Sequence, residues 1–234
     1  MKVALLLPGY SPTLSWLARA RTAGHVLLDD LHSFSRKSQV HRTKIRTPDG
    51  IQWLRIPIVN EDKKKPLASV RIDNNLPWMD QHIRALEYNY RNSMYFDYYE
   101  PEIRSDLRVC SEKEYLLDAV LYFMERQWEY FQLPEFPATA SRSLGLTNEI
   151  LRSAPPETLS AWHDEVYHIA SSDSMVLQEP NSRNYQRPHP NTTPFDPLIP
   201  TYRQHFPGFF PDCGILDLLF QYGPECWRVL DQLP

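Results

Sequence analysis

The chain has 234 residues, 25 Lys and Arg against 29 Asp and Glu for a net charge of −4, and only 7 Gly beside 21 Pro. That length suits one domain spanning 1–234 with a substantial core, and the mild acidity argues against a nucleic-acid groove. No G-x-G-x-x-G and no P-loop is present, so no cofactor held by a Gly-rich loop is expected. Cys110, Cys213 and Cys226 make an odd set without a C-x-x-C pair, which gives neither a disulfide framework nor a zinc motif and fits a reducing cytoplasm. No stretch approaches transmembrane length, and the opening apolar run, cut by Pro8-Gly9, is too short for a signal peptide.

In chain order, Lys2 to Leu7 predicts a buried strand. Ser11 reads as an N-cap with Pro12 at the first helical position and Gly24 as the stop. His25-Val26-Leu27-Leu28 predicts a second buried strand, and charge appears only past its end, at Asp29 and Asp30. Strand, helix, strand is a βαβ unit, right-handed by default. The fold class is therefore α/β, with a mostly parallel sheet begun by this unit and a helical C-terminal half. Open α/β sheets bind ligands beyond the carboxyl ends of their strands, where the Pro8–Pro12 loop with Tyr10, and Asp29 and Asp30, must lie. Asp30 reads equally as a turn or helix cap.

Val40–Arg46 and Ile51–Ile58 flank Thr47-Pro48-Asp49-Gly50 and predict a hairpin. Alternation puts Arg42, Lys44 and Arg46 on one face, with neighbours roughly 6.5–7 Å apart. Such a row suits a ligand with two anionic groups; a solvated strand face is the plain alternative.

Beyond a Lys-rich loop at 60–66, Leu67–Ile72 alternates like a short strand. Pro77 opens a helix with Met79, Ile83, Leu86 and Tyr90 as its apolar stripe. Trp78, His82, Ala85 and Asn89 form a second face, so His82 borders the core and reads either as a structural or as a proton-transferring imidazole. Ser111-x-x-Glu114 has the form of a capping box and predicts a long helix that Pro134 and Pro137 stop. Helices are expected over Leu144–Ser153 and Glu157–Ala170. His163 and His168 are five apart and Glu165 is misplaced for H-E-x-x-H, so no metal site is expected there. Gln178–Thr201 is dense in Pro and Asn and reads as irregular, either a lid (181–201) or a loop wrapped on the surface. Asp212 is placed to cap a helix ending at Gly223, with a last helix to Leu233. Asp217 lies one position off the apolar face of that helix, odd for a carboxylate unless paired.

Three blocks of motifs resemble the WbqC-like family. They are Lys2-Val3-Ala4…Pro8-x-Tyr10-x-Pro12 with Val26-x-x-Asp29-Asp30; Arg42-x-Lys44-Ile45…Gly50-x-Gln52-Trp53-Leu54-x-Ile56-Pro57 with Trp78-x-x-x-His82, Tyr90 and Tyr95-Phe96; and Tyr202-x-Gln204…Phe209-x-Pro211…Ile215–Phe220 with Gly223-Pro224-Glu225. The chain departs from the family pattern at Leu7, at His41 and in the Gly-free stretch 157–187. The resemblance implies a bacterial biosynthetic protein, associated with surface polysaccharide, whose proposed roles centre on N-acylation or aminoacylation of nucleotide-linked amino sugars.

On that reading Arg42 and Lys44 hold an anionic or activated donor, and His82 takes the proton of the attacking amine, with His41 and Asp30 as the next candidates. Tyr10, Tyr90 or Gln204 hydrogen-bonds the carbonyl oxygen, and Tyr202 joins the substrate-binding set through the same motif. The partner expected is a small-molecule substrate, with no cofactor, metal or membrane; oligomeric state stays open. A cyclase or condensing enzyme acting on an activated amino acid in natural-product biosynthesis, and a non-catalytic ligand-binding or scaffold protein, are the competing functions.

Overall fold

The computed structural model describes residues 2–172, 176–178, 192–194 and 199–234, with residues 2, 168–172, 176–178 and 192–194 placed by backbone only. The chain opens with β1 (Lys2–Leu6), α1 (Leu14–Ala23) and β2 (Gly24–Leu28). β1 and β2 pair in parallel from Lys2↔Gly24 to Leu6↔Leu28. They form the centre of a five-stranded sheet of order β5-β2-β1-β6-β7, completed by β5 (Ala138–Thr139), β6 (Val176–Gln178) and β7 (Thr192–Pro194), with every pairing parallel. β1 is buried from Val3 on. β2 is less covered than its composition predicts, for Gly24 and His25 are exposed and only Leu28 is fully buried.

α1 starts two residues later than its sequence signals. Thr13, not Ser11, is the N-cap and accepts from the Trp16 amide. Ser11 is diverted because its hydroxyl donates to Gln127 Oε1 at 2.7 Å, while Gln127 Nε2 donates to Tyr10 O and Phe123 O, each at 3.0 Å. One buried amide thus clamps the loop that leaves β1. Gly24 ends the helix at φ 75°, a left-handed conformation that favours Gly.

The predicted hairpin forms as β3 (Arg42–Thr47) and β4 (Gly50–Arg55), antiparallel with Thr47 opposite Gly50, but as a separate two-stranded sheet. Its core face carries Thr43, Ile45 and Leu54, all buried. The alternating run at 67–72 is not a strand: Leu67–Ser69 is a 3₁₀ turn, and Arg71 and Ile72 make single bridges to Tyr115 and Ile58.

The helical layer is α2 (Trp78–Tyr90), α3 (Phe96–Ser111), α4 (Leu116–Tyr130), α5 (Ala140–Ser143), α6 (Asn148–Ser153), α7 (Pro156–Ser172), α8 (Ile215–Tyr222) and α9 (Trp227–Leu230). Both faces of α2 named above are largely buried, because the hairpin and α3 cover them. The sequence reading missed α3, whose aromatic start and internal Pro101 mask its period. Ser111 belongs to the end of α3 and donates to Arg108 O, so no capping box forms and α4 begins only after Tyr115. The helix expected over 144–153 begins only at Asn148, with Gly145, φ 71°, in the turn that separates α6 from α5. Gly214 rather than Asp212 precedes α8, and the last expected helix is a 3₁₀ turn at Gly223–Cys226 followed by the short α9. Of the expected lid at 181–201 only 192–194 and 199–201 are among the described residues; 192–194 is β7, so the stretch is not wholly irregular. The buried side chains form one continuous core. Among the described residues no helix is long and apolar enough to cross a membrane.

Candidate functional site

The residues singled out from sequence fall into separate groups. The first is Tyr10 and His82. The Tyr10 hydroxyl lies 2.9 Å from His82 Nδ1, and His82 Nε2 lies 3.1 Å from the carbonyl oxygen of Arg55. A carbonyl only accepts, so Nε2 carries the hydrogen and Nδ1 accepts from the phenol. The ring meets Trp78 edge-on and Tyr10 at a tilt, and His82 is 3% exposed. Burial lowers its pKa to about 4, against the partial relief of the Arg55 carbonyl. Both ring nitrogens are engaged by groups of the protein itself.

His41 is also buried, edge-on to Phe34 with ring centroids 5.0 Å apart. Burial, then the Arg42 and Arg55 cations, lower its pKa to about 4. Asp30 serves as a cap: Oδ1 accepts from the Ser141 amide at 2.9 Å and Oδ2 accepts from the Ser141 hydroxyl, which ties β2 to the start of α5. Burial raises its pKa, opposed by those Ser141 bonds.

Tyr90, Tyr202 and Gln204 come together around a carboxylate. Asp217, fully buried, accepts from Tyr90 OH at 2.7 Å, from Tyr202 OH at 2.6 Å and from Gln204 Nε2 at 3.0 Å. The Arg46 amide donates to Tyr90 Oη at 2.8 Å. Burial raises the Asp217 pKa, and the three donors oppose that. The pairing that its off-face position demanded is thus supplied by three donors from two segments, the end of α2 and the loop before α8. Arg46 leaves the cationic row for this network. Its guanidinium donates to Thr47 O, to Gly50 O at 2.8 Å and to Pro207 O at 2.5 Å, and it stacks 4.5 Å from the Phe210 ring.

Arg42 and Lys44 stay on the outer hairpin face. Register places Arg55 opposite Arg42 and Trp53 opposite Lys44. The Arg42 guanidinium lies 4.3 Å and the Lys44 ammonium 5.4 Å from the Trp53 ring centre. Arg42 also donates to Ser38 O at 3.2 Å and Lys37 O at 2.5 Å. Among the described residues none of Arg42, Lys44 and Arg55 has a carboxylate partner. Burial, then Arg55, lowers the Arg42 pKa. Sequence alone did not join Arg55 and Trp53 to this face, though the hairpin register would have done so.

At the carboxyl end of β2 the structure assembles a group that motif spacing missed. Asp29 Oδ2 lies 3.5 Å from His32 Nδ1 and 3.4 Å from His163 Nε2. His163 comes from α7, far along the chain, and only Asp29-x-x-His32 was visible locally. The loop leaving this group is anchored by Leu67 N–His32 O and Phe34 N–Lys65 O, passes Tyr10 through Tyr10 N–Gln39 O, and runs into Arg42. A cleft of about 550 Å³ lies elsewhere, at the amino end of β2, lined by Leu17, Val26, Trp128, Phe136 and Leu230 among others. It is mainly apolar and holds none of the residues above.

These features describe an α/β protein with a parallel sheet opened by a β-α-β unit, polar groups at its carboxyl edge, and a cationic hairpin beside it. The chain belongs to the WbqC-like protein family, whose profile matches residues 8–229. It is 24% identical over 233 residues, covering 96% of this chain and 95% of the relative, to the uncharacterized protein Rv1507c of Mycobacterium tuberculosis. No solved structure matches the chain.

Proposed function

We propose that this protein is a biosynthetic enzyme that transfers an acyl or aminoacyl group to the amine of a small substrate such as a nucleotide-linked amino sugar. The outer hairpin face binds the anionic part of the donor or of the nucleotide. The observation that carries this is the cross-strand pair Arg42↔Arg55 with Lys44 beside it, all without an acidic partner among the described residues. Like charges directly opposite in an antiparallel pair destabilise it. A phosphate or carboxylate bridging the guanidinium groups would turn that repulsion into charge-assisted hydrogen bonds, and Trp53 offers a flat apolar surface between them. His82 is sealed by Tyr10 and the Arg55 carbonyl, so on this reading its part is to hold α2 against the hairpin while the amine's proton leaves by another route.

The test is to incubate the protein with amino-sugar nucleotides and acyl or aminoacyl thioesters, and to look for the N-acyl product by mass spectrometry. Binding of each nucleotide is measured in parallel to wild type and to Arg55→Ala. Removing one charge-assisted contact should weaken binding by about 1.5–3 kcal/mol. Nucleotide binding without product for every donor would overturn the transferase reading in favour of a binding protein. Unchanged affinity in the Arg55→Ala variant would overturn the hairpin assignment.

A further inference from the structure

We propose that Asp29, His32 and His163 form a three-ligand site for a divalent transition-metal ion at the carboxyl edge of the sheet. One ligand atom from each residue, Asp29 Oδ2, His32 Nδ1 and His163 Nε2, lies within 4.8 Å of the other two. The two distances from Asp29 Oδ2 are 3.5 Å to His32 and 3.4 Å to His163. An N–H···O hydrogen bond between imidazole and carboxylate closes to about 2.7–3.2 Å. A tetrahedral ion with bonds of about 2.0–2.2 Å instead separates its ligand atoms by about 3.3–3.6 Å. The spacing matches two edges of a coordination tetrahedron, and the same contacts let Asp29 pair directly with the two imidazoles.

The supporting frame is built for precision. Asp29 is fully buried and its amide donates to Leu6 O at 2.8 Å, which continues the β1–β2 ladder to the ligand itself. His32 is held by Leu67 N–His32 O at 2.9 Å. Asp164 Oδ1 lies 3.8 Å from His163 Nδ1, on the side where outer carboxylates orient metal-bound imidazoles. The side chains of His32 and His163 are 10% and 19% exposed, so an ion can enter.

Two imidazoles and one carboxylate favour zinc, cobalt, iron or manganese over magnesium or calcium, which take oxygen donors. Three protein ligands leave a coordination position for an oxygen or nitrogen atom of a substrate, as catalytic rather than structural sites do. Binding of the ion does not depend on the transferase reading, and either can fail alone.

The test uses the full chain with any affinity tag removed, dialysed against a chelator. Zn²⁺, Co²⁺, Mn²⁺ and Mg²⁺ are titrated by calorimetry, and Co²⁺ also by its visible absorption. About one equivalent of Zn²⁺ or Co²⁺ should bind, with thermal stabilisation that grows with free metal, and Mg²⁺ should not compete. His163→Gln, a change at a partly exposed helical position, should weaken Zn²⁺ by more than about 100-fold, and Asp29→Asn likewise. His205→Ala, on a separate loop, should leave the affinity unchanged. Absence of stoichiometric binding, or equal affinity in folded His163→Gln, would overturn the site.

Discussion

The Tyr10 phenol and the His82 imidazole, 2.9 Å apart, are joined in a buried contact that holds the ring neutral at neutral pH. Nε2–H is spent on the Arg55 carbonyl, and a second ring hydrogen would point at the phenol that now donates. This gives the acid response a definite sign. The free imidazole has a value of about 6.5, and burial lowers it here to about 4. The unfolded chain therefore binds more protons between those values. Stability is full above about pH 6.5 and falls as the pH drops toward 4. From His82 alone the protein should be about 2 kcal/mol less stable at pH 5 than at pH 7.5. His41, lowered to about 4 by burial and then by Arg42 and Arg55, adds to the same limb. Urea denaturation at the two pH values measures the difference, and equal midpoints would show that neither ring is held neutral.

Replacing the ring tests the same contact. His82→Asn removes a buried aromatic surface between Trp78 and Tyr10 and leaves the Tyr10 hydroxyl to find a new acceptor. A loss of about 2–4 kcal/mol is expected, with remaining activity following the folded fraction. A variant of wild-type stability with turnover reduced 100-fold or more, roughly the worth of a general base, would return His82 to the reacting groups.

Asp217 organises the C-terminal segment. Tyr90, Tyr202 and Gln204 each donate to it, so Asp217→Ala strands several buried donors at once. The expected cost is about 3–5 kcal/mol, read from chemical denaturation. Tyr202→Phe, which removes one donor and leaves the carboxylate two others, should cost about 1–2 kcal/mol.

Gly214 is required by close approach rather than by its dihedral angles, φ −59° and ψ 152°. Its amide donates to Lys44 O at 2.8 Å, and a Cβ there would press into Thr43 Oγ1 and Ser11 Oγ. Gly214→Ala should destabilise by about 1–3 kcal/mol. The double variant with Thr43→Ala should recover part of that loss, and strict additivity in thermal unfolding would count against the steric account.

Lys44 gives the cleaner probe of the hairpin face. Arg42 also holds the backbone at Lys37 and Ser38, so its removal loosens the preceding loop as well as the ligand. Lys44→Ala removes a cation without an ion pair among the described residues. Affinity for a nucleotide diphosphate should fall by about 1 kcal/mol, and more steeply at low salt than at high salt. Salt-independent affinity in wild type would show that this face does not meet the anion.

The local signals carried the opening unit and the hairpin. Val3–Leu7 and His25–Leu28 are short apolar runs bounded by turn residues, Gly24 supplies the left-handed stop, and Pro-Asp-Gly sets the two-residue turn. Each depends on residues near one another, so periodicity and turn chemistry suffice. The same logic failed at Ser11 and Ser111. Both have the form of caps, but Gln127 and the Arg108 carbonyl compete for their hydroxyls. Alternation put Arg46 beside Arg42 and Lys44, yet Pro207 and Phe210 draw it into the interior.

The sequence by itself determined the parallel strand–helix–strand opening, the cationic hairpin strand and the family, because those rest on order and spacing along the chain. Only the tertiary structure decided what the polar residues do. It closed Tyr10 and Arg55 over His82, folded α8 so that Asp217 meets three donors, and carried His163 on α7 to Asp29 and His32. The reason is physical: burial and hydrogen-bond partnership are set by which distant segments pack together, and no spacing rule within a segment encodes them.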